Sequence, residues 1–89
     1  MSRFPRTIFT KNTIQQQMPV IAGELRETYT EFMAPKVNYD KVAVEILDII
    51  QAAETALEIL KEQKGIDIEA AERAVIQKNT ARNYYEWQK

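Results

Sequence analysis

The sequence predicts an all-α protein, a small antiparallel helical bundle with two long helices, a third helix and a kinked N-terminal segment. Three observations carry this reading. Only two glycines interrupt 89 residues, and the stretches between turn signals are rich in Ala, Leu, Ile, Glu, Lys and Gln, mostly good helix formers. Apolar residues recur at helical spacing rather than alternating, so no segment reads as a strand. Side chains able to cap a helix precede each periodic segment, and proline or glycine follows the first two.

Residues 1–12 form a basic arm, and 13–89 a single helical domain. The arm carries Arg3, Arg6 and Lys11 with no acid before residue 12, and Pro5 interrupts any early helix. Its Phe4, Ile8 and Phe9 can touch a neighbouring subunit or nucleic acid. The plainer reading, a tail that packs its aromatics on the domain or stays unordered, is preferred.

The first helix is expected over 13–33, with Asn12 or Thr13 as N-cap. Pro19 predicts a break or kink, so that the regular part begins there. Ile21, Leu25, Thr28, Tyr29 and Phe32 mark its buried side, and Pro35 disfavours helix at Ala34. Asn38 or Asp40 can cap a second helix that runs to Lys64 and stops at Gly65. It is apolar almost all round from Val42 to Ala53, then amphipathic with Ala53, Ala56, Leu57 and Leu60 inward. It reads as the central and most buried helix. Asp67 caps a third helix reaching about Asn83, with a narrow stripe of Ala71, Ala74, Val75 and Ile76, expected to pack across the other two. The closing Tyr84, Tyr85 and Trp87 read as aromatics that close a core or an interface.

Composition narrows the chemistry. Without Cys there is no disulfide, thiolate zinc site or cysteine nucleophile, and without His the commonest general base is missing. Twelve basic and thirteen acidic residues leave a net charge of −1, which supplies no global field for nucleic acid. No apolar run approaches the roughly 20 residues needed to span a bilayer, so a cytoplasmic protein with no membrane partner is expected. A chain this size buries only about 60–65% of its unfolded surface, so a metal or oligomerisation is expected to help hold it together.

Two acid pairs stand out. Glu45 and Asp48 are the only polar side chains between Val42 and Ile50, and Glu24 and Glu27 repeat the same i, i+3 spacing upstream. That spacing puts both members of a pair on one helix face. A carboxylate buried without a partner is costly, so each must be paired, protonated or bound to a cation. Two helices facing one another can assemble the four into an oxygen cage for a hard divalent cation.

Taken in order, the residues resemble the MazG-like, all-α nucleoside triphosphate pyrophosphohydrolases, whose signature is EExxE followed by ExxD. Here Gly23-Glu24-Leu25-Arg26-Glu27 precedes Glu45-Ile46-Leu47-Asp48, and Ile49-Ile50-Gln51-Ala52 continues in the manner of short phage and bacterial members. Gly65-Ile66-Asp67 and Lys78-Asn79-Thr80-Ala81-Arg82-Asn83-Tyr84-Tyr85 are similar to their G-I-D helix start and K-N-x-x-R-G-Y-Y ending. The likeness spans roughly residues 19–86 and departs from the pattern at Gly23 and Asn83. It implies a metal held by Glu24, Glu27, Glu45 and Asp48, with Mg²⁺ the ion and Mn²⁺ a substitute. It also implies water attack on a nucleoside triphosphate to give the monophosphate and pyrophosphate. Glu27 and Glu24 are the candidate catalytic bases, and Lys78, Asn79 and Arg82 the candidate substrate contacts. Family members are dimers or tetramers, which suits a central helix that three helices cannot cover.

Plainer readings stand beside these. Glu24 and Glu27 can be surface acids, Glu45 and Asp48 can belong to a buried salt bridge, and Lys78 and Arg82 can complement a helix dipole. Gln51 can support the acids or make a helix contact. The alternative function is a non-catalytic, oligomeric helical interaction protein of phage or mobile-element type.

Overall fold

The computed structural model describes residues 4–88, and within them every regular element is helical. A 3-10 turn, Ile8–Lys11, precedes α1 (Ile14–Phe32), α2 (Tyr39–Lys64) and α3 (Ile68–Ala81), and a last 3-10 turn spans Glu86–Gln88. Arg3 of the arm lies outside the described residues.

Local chemistry explains each helix end. Thr13 and Gln16 form a reciprocal capping box at the start of α1: the Gln16 N–H donates to Thr13 Oγ1 at 3.1 Å and the Thr13 N–H to Gln16 Oε1 at 2.9 Å. Of the break or kink expected at Pro19, the break does not occur: α1 runs on through it. A helix-interior proline costs about 3 kcal/mol, and here the capping box and a buried anchor at Gln17 offset it. Asn38, not Asp40, caps α2 by accepting the Lys41 N–H at 3.2 Å. Gly65 ends α2 in the left-handed region at φ 66°, where a Cβ would be strained, and the Ile66 N–H closes the turn on Leu60 O at 3.2 Å. Asp67 accepts the Ala70 N–H at 3.0 Å to start α3. Helix α3 stops at Ala81, and Asn83 takes the left-handed position at φ 57°.

Helices α1 and α2 pack side by side as an antiparallel hairpin. Lys41 Nζ reaches Glu31 at 3.2 Å near its closed end, where Phe32 and Tyr39 meet edge to face. The opposite end is tied by Gln17, fully buried on α1, whose Nε2 donates to Ala52 O on α2 at 3.1 Å while its Oε1 accepts from Asn12 Nδ2 at 3.0 Å. A satisfied buried amide of this kind fixes register, because any slip leaves it unpaired.

Among the described residues the buried ones are Gln17 together with Val42, Ala52, Thr55, Ala56 and Ile59, so α2 is the most buried helix. Its burial lies mainly towards the C-terminal half, where the N-terminal arm crosses it. Val44, Ile46 and Leu47, inside the apolar run that three helices are not expected to cover fully, are exposed. So are Leu25, Tyr29 and Phe32 on the expected inner side of α1, and Leu57 on α2. Helix α3 does not pack across the hairpin: only its first turn approaches α2, and its apolar stripe faces solvent. The terminal aromatics close no core. Tyr85 and Trp87 stack on one another with centroids 5.7 Å apart, and Gln88 Nε2 folds the tail back by donating to Thr80 O at 2.8 Å.

The chain is accordingly open. Its radius of gyration is 15.6 Å, against about 12 Å for a compact chain of this length.

Candidate carboxylate site

The antiparallel hairpin brings the two acid pairs together. One carboxylate oxygen from each of Glu24 and Glu27 on α1 and Glu45 on α2 lies within 4.8 Å of the others. Asp48 faces the same place: its charge acts on Glu24, and the two line one small cavity. Glu24 and Glu45 are half-buried, while Glu27 and Asp48 are exposed. On α2 the acids therefore turn towards the helix seam while neighbouring Val44 and Ile46 face outward, the reverse of an ordinary surface helix.

This clustering is electrostatically unfavourable without a counter-charge. Burial pushes the Glu24 carboxyl above its usual 4.5, and the charges of Glu27, Asp48 and Glu45 and a hydrogen bond with Glu27 push it the same way. Among the described residues no Lys or Arg forms an ion pair with any of the four. The ion pairs join Arg6 to Glu58 and Glu62, and Lys41 to Glu31. The hard oxygen donor set and its spacing fit a divalent cation, for which Glu24, Glu27 and Glu45 offer converging atoms and Asp48 a fourth carboxylate beside them.

Gly23 precedes this cluster within α1. A Cβ there would meet no heavy atom within 4 Å, so packing does not require glycine. In a helix interior it costs about 1 kcal/mol relative to alanine.

Lys78, Asn79 and Arg82 are not brought to the acids. They lie towards the far end of α3, which does not return along α2, and no hydrogen bond or ion pair among the described residues links them to the cluster. The Arg82 guanidinium instead sits over the Tyr84 ring, 5.8 Å from its centroid.

The arm packs on the domain, but through polar side chains more than through the aromatics its sequence points to, and no local signal marks Gln17 as an anchor. Arg6 hydrogen-bonds Glu62 through both terminal nitrogens, Thr7 Oγ1 meets Thr55 Oγ1 at 3.1 Å, and Gln63 Nε2 donates to Asn12 O at 2.7 Å and more weakly to Thr10 O. The arm thus lies along α2, and Thr7 and Phe9 help line the small cavity shared by Glu24 and Asp48.

Comparison of the chain with protein-family models, with curated proteins and with solved structures finds no match.

Two carboxyls shift in opposite directions, and this sets an expected pH profile. Glu62 is held down to about 2, chiefly by its hydrogen bonds to Arg6, so its contribution is present above pH 4.5 and lost as pH falls towards 2. Glu24 is shifted upward, so the folded state binds its proton more tightly than the unfolded chain does. Its penalty is absent below 4.5 and develops as pH rises through the elevated pKa. In chelator, urea denaturation should show stability falling from the mildly acidic range towards neutrality, with Glu24→Gln flattening that slope. An unchanged slope in the variant would assign the titration to another group.

Proposed function

We propose that this chain is a divalent-metal-dependent nucleoside triphosphate pyrophosphohydrolase of the MazG-like type, acting as a homodimer or homotetramer in the cytosol. The observation that carries the reading is the convergence of Glu24, Glu27 and Glu45, with Asp48 beside them, on the seam between two helices. A convergence of acids without a basic partner is costly to maintain in a small fold, and a cation offsets that cost.

The two-helix origin matters. Glu24 and Glu27 are fixed by α1, Glu45 and Asp48 by α2, and Gln17 and Lys41 hold the hairpin in register on either side. The site is therefore pre-organised by backbone rather than by a loop. A bound Mg²⁺ or Mn²⁺ would neutralise charge on phosphate oxygens and make a neighbouring water a better nucleophile. A carboxylate oxygen of Glu27, exposed at the mouth of the cluster, can accept the proton of that water. Glu24, made more basic by burial and its neighbours, can accept it as well. Attack on the α-phosphorus would release pyrophosphate. Lys78, Asn79 and Arg82 belong to the proposal only if a second copy brings its α3 over the cluster.

No helix among the described residues is long and apolar enough to cross a membrane. The non-catalytic reading shares the oligomer but needs the acids paired with bases, and among the described residues no Lys or Arg pairs with them.

Product analysis tests the proposal. Common and modified nucleoside triphosphates incubated with Mg²⁺ or Mn²⁺ should yield monophosphate and pyrophosphate. Orthophosphate as first product would mean that a different bond is cut. No turnover of any triphosphate with either ion would favour the structural alternative.

A further inference from the structure

Two spaces flank the N-terminal arm where it crosses α2. The smaller, about 100 Å³, is lined by Glu24 and Asp48 of the carboxylate cluster together with Phe9 and Gln51. The larger is an open groove of about 460 Å³ between the arm, α2 and the start of α3 at Ile68, Glu69 and Glu72. Thr7, Gln51 and Thr55 line both, so the two form one cleft that begins at the carboxylates and runs under the arm. Small-ligand clefts typically span roughly 300–1,000 Å³, a range the larger groove meets and the smaller space alone does not.

Gln51 is the unusual residue in this cleft. The other amides of the region are all engaged: Gln17 with Ala52 and Asn12, and Gln63 with Thr10 and Asn12. The half-buried side-chain amide of Gln51 forms no hydrogen bond among the described residues, although it lies at the junction of the two spaces. It stands one helical turn beyond Asp48, a rise of about 5 Å, comparable to the span of a sugar. An amide offers a donor and an acceptor side by side, the pattern that pairs with the edge of a base. Phe9, a half-exposed residue, supplies a flat apolar face on the smaller space, where it adjoins the groove at Gln51.

From this arrangement we propose that the cleft beneath the arm receives the nucleoside part of the triphosphate, with Gln51 hydrogen-bonding the base and Phe9 stacking on it. The inference rests on the pyrophosphohydrolase reading and adds to it the residues that distinguish one nucleotide from another. The arm then acts as one wall of the substrate site. The Arg6 bonds to Glu62 and the Thr7–Thr55 contact hold that wall in place.

The test is equilibrium binding by calorimetry with Mg²⁺ present, using non-hydrolysable α,β-methylene triphosphates of the common nucleosides and inorganic tripolyphosphate, which carries no base. The wild-type protein should bind at least one nucleotide analogue more tightly than tripolyphosphate. Gln51→Met, which keeps the volume but removes donor and acceptor, should reduce that preference about tenfold. Phe9→Ala should reduce it about fivefold or more. Tripolyphosphate binding by the same variants reports that each is folded. An unchanged preference in both variants overturns the assignment. Wild-type protein that binds tripolyphosphate as tightly as every nucleotide overturns the nucleoside cleft but leaves the phosphate reading standing, and binding of neither ligand overturns both.

Discussion

Glu27→Gln is expected to lower the rate of triphosphate cleavage by about two to four orders of magnitude, the usual contribution of a positioned general base. Gln keeps the size and hydrogen-bonding reach of Glu but carries no charge and accepts no proton near neutral pH. The position is chosen for its geometry. Of the three converging carboxylates, Glu27 is the exposed one, so on the proposed reading it is the one open to a phosphate chain and its attacking water. The same substitution separates metal binding from folding. In the apo protein, removing one of several mutually repelling charges should leave the fold as stable or more stable. With Mg²⁺ or Mn²⁺ the wild-type melting temperature should rise, because a ligand that binds only the native state stabilises it by RT ln(1 + [L]/Kd). Glu45→Gln and Asp48→Asn should blunt that rise in the same way. Pyrophosphate-release assays and thermal melts with and without the ion check both halves. A Glu27→Gln protein with wild-type turnover, or Glu45→Gln and Asp48→Asn proteins with a wild-type metal response, would remove the cluster from the mechanism.

The convergence of these acids was legible in the sequence because it depends on little more than helix arithmetic. Two pairs at i, i+3 each commit to one face, and a short connection across Pro35 leaves the two helices antiparallel, so the pairs meet. Helix ends were legible for the same local reason. Asn38, Gly65 and Asp67 do their work within four residues of themselves. What the sequence could not specify depends on partners far along the chain. Arg6 finds Glu58 and Glu62 more than fifty residues away, and nothing near Arg6 marks it as their partner. Gln17 is one of three consecutive glutamines, and only the approach of Ala52 O makes it the buried one. Pro19 shows only its local cost in the sequence, whereas the anchor beside it, Gln17 on Ala52 O, is made with a residue thirty-five positions away. Helix α3 carries a stripe made half of alanine, too little apolar area to dictate its docking onto a hairpin already packed against the arm. The same limit applies to Lys78, Asn79 and Arg82, whose relation to the acids is set by where α3 goes and not by their own spacing.

At micromolar concentration the protein is expected to run as at least a dimer, and an acidic substitution on the outer face of α2 should take it apart. The accessible surface of the chain is 7,173 Å², whereas a compact monomer of this mass exposes about 5,400 Å². The excess, about 1,800 Å² per chain, matches the burial per subunit of obligate interfaces, which exceed roughly 1,000 Å² on each partner. Its composition agrees. Val44, Ile46 and Leu47 on α2, Leu25, Tyr29 and Phe32 on α1, and Val75 and Ile76 on α3 are all exposed, far more than scattered surface apolars require. Ile46 is a suitable probe because it is 47% exposed in the single chain. Replacing it by Asp costs an isolated chain little, since the carboxylate remains in water. In an interface the same carboxylate would be desolvated without a partner and should weaken association by about a hundredfold or more. Light scattering should therefore give a dimer or larger species for wild type and a dilution-sensitive shift towards monomer for Ile46→Asp, with a lower melting temperature. A wild-type protein that stays monomeric at high micromolar concentration and melts cooperatively would show that the open chain is sufficient alone, and would leave the outward apolar face of α2 to some other partner.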